Sequence, residues 1–235
     1  MFDERPPVRK LVPSWNLQDV LDLLTRDPYE PAGRASLLHL SIKTAFLLAA
    51  ATARRSSEIH ALTLEPGHMR WEPGGVRMTP TASFLTKNQG ATFNPPDIFV
   101  PEIGSSSSIA SDKLWCPVRA LKFYLARTKP LRGDCKQLFI TAVHPHGPAS
   151  RDTIARWVVS AIKFANSDWP SKRDTPVQGL VRAHDVRAVT TSWAFFRGSR
   201  WRKFLRQHAG RHLPPLLHAT YVMSYSLGDE LGRLC

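Results

Sequence analysis

The stretch from Val181 to Gly198, VRAHDVRAVTTSWAFFRG, sets two polar side chains three residues apart, His184 and Arg187. On a helix that spacing stacks both on one face. Ala188, Val189, Trp193, Ala194 and Phe196 supply an apolar stripe at mixed i+3, i+4 and neighbouring steps, and Gly198 suits a C-cap. The segment therefore reads as an amphipathic helix. A guanidinium binds two oxygens in a planar fork and an imidazole adds a third hydrogen bond, so the polar face can hold one phosphate. The same pair also fits an ordinary solvated face, and the choice between the two depends on what lies upstream.

Charge favours an anionic partner. Among 235 residues, 32 Lys and Arg against 19 Asp and Glu leave a net +13, which points to a polyanion, nucleic acid ahead of acidic lipid. With 43% apolar residues the chain can build the core of one large domain or two small ones. The apolar stretch Thr44 to Ala53 is bounded by Lys43 and Arg54, well short of a membrane span. The opening MFDERPPVRK has no apolar signal core, so secretion is not expected. Cys116, Cys135 and Cys235 match neither a disulfide framework nor a zinc pattern, so a reducing compartment, nucleus or cytosol, is expected.

Periodicity sets out the elements. Residues 1–15 read as an extended lead-in, with Ser14 as the N-cap of a short helix from Asn16 to Thr25, ended by Pro28 and Pro31. A helix from Ser36 to Ala51 is so densely apolar that it is expected at the centre of the core. Directly after it, ATARRSSEIHALTL reads as a turn and a helix opened by Ser56 or Ser57, with Glu58 in its first turn. Arginines beside a helix start add to its positive end, which costs stability and attracts an anion; the plainer reading is a surface arginine paired to Glu58. Between His68 and Val100 the short runs MRW, GGVRMT, ASFLTK and DIFVP, punctuated by Pro and Gly, predict a small antiparallel sheet of about three strands with Lys87 near its turn. After the surface loop GSSSSIASDK come a helix at CPVRALKFYLARTKP, a short strand at KQLFITAV, and a helix at SRDTIARWVVSAIKFAN capped by Ser150. The sum is a mainly helical α+β fold.

Taken in order, Ala53-Arg54-Arg55-Ser56-Ser57-Glu58-Ile59, then Lys87 on a hairpin, then His184-Asp185-Val186-Arg187, resemble the catalytic domain of tyrosine recombinases, DNA strand-exchange enzymes related to phage integrases. RKLVPSW and LWCPVRAL, together with the run from Val181 to Gly198, are similar to the recombinases carried by eukaryotic tyrosine-recombinase retrotransposons. The resemblance covers roughly residues 5 to 198. It implies the catalytic-domain fold of DNA breaking-rejoining enzymes and attack of a tyrosine hydroxyl on a phosphodiester, leaving a 3′-phosphotyrosyl link and a free 5′ hydroxyl. Arg55 and Arg187 would clamp the phosphoryl oxygens and His184 would donate a hydrogen bond or move a proton. Lys87 would protonate the leaving oxygen, and Glu58 would orient its neighbours. Arg54, Arg55, Lys87, Arg182 and Arg187 would face duplex DNA. The resemblance implies no metal or nucleotide cofactor. It also implies a helical clamping domain ahead of the catalytic one, so the chain reads as a catalytic domain, residues 16–198, cut from a longer mobile-element protein, with self-association on DNA.

After Gly198 the pattern breaks. GSRWRKFLRQHAGRHLPPLLHATYVMSYS loses amphipathic order, and Pro214-Pro215 interrupts any helix where the family continues with an apolar helix, a His or Trp, and the nucleophilic tyrosine. Within the printed sequence Tyr221 stands at about the expected distance after Arg187, with Tyr225 as the other choice and His208 or His212 in place of the late His or Trp. An ordinary tyrosine, with a pKa of ~10, needs a cationic setting to attack at neutral pH. A change of reading frame accounts for the break differently. Permitted codons for Gly198 to Met223, read from the third base of the Gly198 codon, yield VKVEEILKAACWKTPSTFTSCYLRH, a helix, a Trp and a Tyr in the family's order. Residues 199–235 would then be a divergent basic tail, and the chain a DNA-binding remnant without catalysis. A third possibility is a basic helical scaffold for acidic partners. Sequencing the coding DNA across codons 195 to 235, in genomic and transcript copies, decides between them: that Trp and Tyr in the second frame make the tail a product of a frame change, and a second frame without them assigns the tail to the protein as printed and makes Tyr221 the leading nucleophile.

Overall fold

The computed structural model describes residues 15–84, 97–103, 113–167 and 181–196, with side chains of the last segment described to Thr190. Among the described residues six helices and three strands follow one another as α1 (Leu17–Leu23), α2 (Leu37–Thr52), α3 (Ser56–His60), β1 (Met69–Glu72), β2 (Gly75–Met78), β3 (Ile98–Pro101), α4 (Pro117–Thr128), α5 (Arg151–Ser167) and α6 (Ala183–Phe196). The described chain is thus mainly helical α+β with one small antiparallel sheet.

α2 is the hub. Its run LLHLSIKTAFLLAAAT has an apolar or small residue at nearly every turn position, and Leu40 to Ala49 are buried without a break. A helix apolar all round must be enclosed on all sides. The enclosing elements fall into two sets: α4 and β3 in one, α3, α5 and α6 in the other, with α1 resting on α5 and α6. An aromatic ladder ties the sets together: Tyr124 of α4 lies 5.1 Å from Phe139, and Phe139 lies 5.9 Å from Trp157 of α5.

The caps show how local sequence starts each helix. Asn16 caps α1 by accepting the Gln18 amide at 2.9 Å, so the helix opens one residue later than expected and closes at Leu23 instead of Thr25; Ser14 lies outside the described residues. Ser36 caps α2 through the His39 amide at 3.2 Å, and Ser150 caps α5 through the Thr153 amide at 3.1 Å. Pro117 occupies the first turn of α4, where its missing N–H costs nothing.

The sheet runs in the order β1-β2-β3, both pairs antiparallel. Pro73 and Gly74 turn β1 into β2, with Gly74 at φ +82, a left-handed value glycine takes without strain. Gly75 admits no side chain, because a Cβ there would collide with the Val100 carbonyl oxygen. Three of the four runs expected to build about three strands supply β1, β2 and β3, and the described part of ASFLTK, Ala82 to Phe84, is a turn closed by the Phe84 amide on the Thr81 carbonyl at 3.0 Å. KQLFITAV forms no strand. Its pairing is split between two short partners, Leu138 bonding Leu62 and Ala149 bonding Phe139, both at 2.9 Å, which leaves isolated bridges instead of a ladder.

The charge at the centre of the fold is Lys43. Its side chain is wholly buried on α2, and its ammonium donates to the Leu24 carbonyl at 2.7 Å and to Glu30 at 2.5 Å. Glu30 also takes two bonds from Arg119 of α4, at 2.6 and 3.2 Å, and one from the Ala32 amide at 2.7 Å. Burial pushes the Glu30 pKa up, but the bonds from Arg119 and Lys43 outweigh it and hold the carboxyl below its ordinary value. Burial lowers the Lys43 pKa more than Glu30 raises it. Glu30 therefore contributes stability that is present above the ordinary carboxylate range and is lost as pH falls through its depressed folded value. Glu30→Gln leaves two cations facing a neutral amide and is expected to cost about 3–5 kcal/mol in urea unfolding at neutral pH. The gap from wild type should narrow as the pH is taken below the carboxylate range.

Candidate nucleic-acid interface

The first basic cluster owes its position to a forced turn. α2 ends at Ala53, which adopts φ 51, ψ 30, a left-handed conformation that costs a non-glycine residue about 1–2 kcal/mol. The turn swings Arg54 and Arg55 off the axis of α2 and into α3. α3 opens at Ser56, as expected, with Glu58 in its first turn; Arg55 is its N-cap, and Glu58 at the third helical position reaches back to accept the Arg55 amide at 2.9 Å. The other oxygen of Glu58 accepts the Arg54 guanidinium at 2.8 Å. Glu58 therefore pairs with Arg54. The Arg55 guanidinium is exposed and has no side-chain partner among the described residues.

Cross-links fix the base of this cluster. The Thr81 amide donates to the Ala61 carbonyl at 2.9 Å, Leu138 donates to Leu62, and the Gln137 amide side chain donates to the His60 carbonyl at 2.5 Å. Burial, helped by the positive charge of Arg151 on α5, lowers the pKa of His60, so the charged form of this imidazole is disfavoured beside the basic cluster. Sequence reasoning passed over His60, which closes the five-residue helix α3 where α3 packs on α5.

α6 carries the second cluster. Asp185 caps it, accepting the Arg182 amide at 2.8 Å, while the Asp185 amide donates to the Arg182 carbonyl at 2.9 Å. Val186 and Thr190 are buried, and the Thr190 hydroxyl donates to the Val186 carbonyl at 2.8 Å. Arg182 and His184 are exposed and Arg187 is half-buried. The inward stripe differs from the expected one: Ala188 is exposed, and Ala183, Val186, Val189 and Thr190 face the core. A 3.6-residue repeat phased on Val186 cannot bury position 188, which lies about 200° away.

α3 and α6 rest on the same two helices, α2 and α5. The structure thus seats the Arg54-Arg55-Glu58 and Arg182-His184-Arg187 clusters on a common frame, with charged side chains of each facing solvent. Lys87 belongs to the connection between β2 and β3, and it lies outside the described residues, as does Tyr221. Two of the four tyrosines are described, and both are buried core residues, Tyr29 and Tyr124. The Tyr124 hydroxyl accepts the Ile140 amide at 2.9 Å, and burial pushes its pKa up to about 12, which suits a structural phenol and not a nucleophile. Among the described residues no group of three or more His, Cys, Asp or Glu is placed to hold a metal ion, and no helix is long and apolar enough to cross a membrane.

No family model matches the chain, and no curated protein or solved structure matches it either.

Glu58 is the residue on which the first cluster turns. Glu58→Ala removes the acceptor from the Arg55 amide and the partner from Arg54, and is expected to lower the unfolding free energy by about 1 kcal/mol. Arg54→Ala, which removes only a partly exposed ion pair, should cost less than about 1 kcal/mol. Urea unfolding of the two variants separates the contributions.

Proposed function

We propose that this chain is the catalytic domain of a tyrosine recombinase, or the DNA-binding remnant of one, with the fold of DNA breaking-rejoining enzymes. The observation that carries the proposal is Arg55: an exposed guanidinium without a side-chain partner among the described residues, on a helix that shares its supports with the His184 and Arg187 helix. An arginine displaced from its own carboxylate by a neighbour remains available to an external anion. The net charge of +13 makes a polyanion the favoured one.

In the proposed chemistry a tyrosine hydroxyl attacks the phosphorus of a DNA strand, the P–O bond to the 5′ oxygen breaks, and that oxygen leaves as a hydroxyl after taking a proton. Arg55 and Arg187 neutralise the charge that builds on the two non-bridging oxygens, and His184 adds a hydrogen bond there. Glu58 has no reacting atom to touch; it holds the Arg54 guanidinium and the Arg55 backbone in place. Lys87 supplies the proton to the leaving oxygen. With Tyr29 and Tyr124 buried, the nucleophile falls to Tyr221 or Tyr225. The substrate is double-stranded DNA, the rejoining step transfers the 3′ phosphate to a second strand, and the site of action is the nucleus.

A second form of the proposal keeps the DNA contacts and drops the reaction, on the observation that the sequence after Gly198 has Pro214-Pro215 where a nucleophile-bearing helix is needed. One experiment separates the two. On a nicked duplex that traps the covalent intermediate, an active enzyme forms a protein–DNA adduct that Tyr221→Phe or Tyr225→Phe abolishes. The remnant forms none but binds duplex DNA with a steep salt dependence, and Arg55→Ala with Arg187→Ala flattens the log–log salt slope by about 2. Binding unchanged by the two arginine substitutions, with no adduct, overturns both forms and leaves a basic scaffold.

A further inference from the structure

β1 is an outer strand whose bonding pattern leaves one edge open. The Thr79 amide donates to the His68 carbonyl at 2.8 Å, which marks His68 and Thr79 as a hydrogen-bonded pair. Bonded and non-bonded pairs alternate along an antiparallel ladder. In the register Met69 to Met78, Arg70 to Arg77 and Trp71 to Val76, Arg70 therefore exchanges bonds with Arg77, while Met69 and Trp71 turn their N–H and C=O groups away from β2. No described strand lies on that side.

Beside this edge lies a groove of about 460 Å³ whose apolar lining includes Leu64, Met69, Trp71, Leu125 and Ala126. Met69 and Trp71 share the sheet face of buried Val76 and Met78, yet Trp71 is 48% exposed, so about half of a large ring is left open at the groove. The α4 wall is cationic. Lys122, Ala126 and Lys129 follow at i, i+4 and i+7 on one helix face, both lysines are exposed, and the Lys122 ammonium lies 5.3 Å from the centre of the Trp71 ring. Lys129 and Arg132 line the groove against one carboxylate, Glu65. Lys122 has a distant partner in Glu102, at 3.9 Å on the exposed surface, a pair of little strength.

We propose that the β1 edge and this groove form a docking site for an extended acidic peptide segment of a partner protein. The segment adds to β1 as a further strand, bonding the outward N–H and C=O groups of Met69 and Trp71. It seats one apolar side chain against Trp71 and directs a carboxylate on either side of it to Lys122 and Lys129. The spacing fits: seven helical residues advance about 10 Å, and four strand residues about 13 Å, a difference that side chains of Lys and Glu span. Main-chain bonds supply affinity in such pairing, and the groove supplies specificity.

The probe is a fluorescein-labelled peptide in which Glu, Ile and Glu alternate with Thr, titrated with the whole chain and followed by fluorescence anisotropy. The wild type is expected to bind it. The same peptide, N-methylated at the amides that would face β1, keeps its charge and side chains and is expected to bind at least about tenfold more weakly. Lys122→Glu with Lys129→Glu, two exposed positions, is expected to weaken the parent peptide by about tenfold or more. Equal affinity for the N-methylated peptide overturns strand addition. Absence of peptide binding at millimolar concentration overturns the site, and so does the case in which only a single-stranded oligonucleotide responds to the lysine reversals. Neither DNA cleavage nor Arg55, His184 and Arg187 enter this experiment, so its outcome is independent of the proposed recombinase chemistry.

Discussion

A lysine with no access to solvent, at the middle of a helix with no polar face, is the constraint around which the described fold is arranged. α2 buries its side chains on every side, and Lys43 among them can stay charged only if opposite charge comes to it. Glu30 arrives from the loop after α1, and Arg119 arrives from α4 to balance the second half of the carboxylate. Three segments far apart in sequence are thereby pinned to one point. Apolar packing alone would accept α4 at several angles; the Arg119 fork on Glu30 accepts few.

The same helix governs the basic surface. Its left-handed end at Ala53 turns the chain sharply enough for Arg55 to cap α3, and its flank receives α6 with His184 facing out. Glu58 then decides which arginine is spoken for. Because a carboxylate at the third helical position can bond both the cap amide behind it and a guanidinium beside it, Arg54 is held and Arg55 is released. Such a division of labour between adjacent arginines leaves one guanidinium exposed while the turn that carries it stays fixed.

The sheet serves two ends. Val76, Met78, Ile98 and Val100 close the core against α2 and α4, while β1 projects beyond that cover with Trp71 and an edge that no described strand pairs. Exposed edges invite pairing, and proteins commonly block them with proline or inward charge. β1 has no proline; its own cation, Arg70, pairs with Asp97 on the opposite face from Trp71, and the cations on the groove side stand on α4.

Much of this was legible in the sequence. The Ser150 cap of α5, the uninterrupted apolar run of α2, the i+3 spacing of His184 and Arg187 and the Pro-Gly turn of the sheet are local features, and local physics places them within a residue or two. The strand expected at KQLFITAV failed because its β-forming residues are buried by unlike neighbours on its two sides, and no local pattern reports which partners a segment will meet. The pairing of Glu58 with Arg54 instead of Arg55 was equally open, since both lie within reach until the turn at Ala53 is known. Sequence by itself determined the helices, the basic character and the polar face of α6, because each depends on residues within a turn or two of one another. Only the tertiary structure decided that Lys43 would be enclosed by Glu30 and Arg119, that α3 and α6 would share supports, and that about half of the Trp71 ring would be left open, because those depend on which distant segments arrive at the same place.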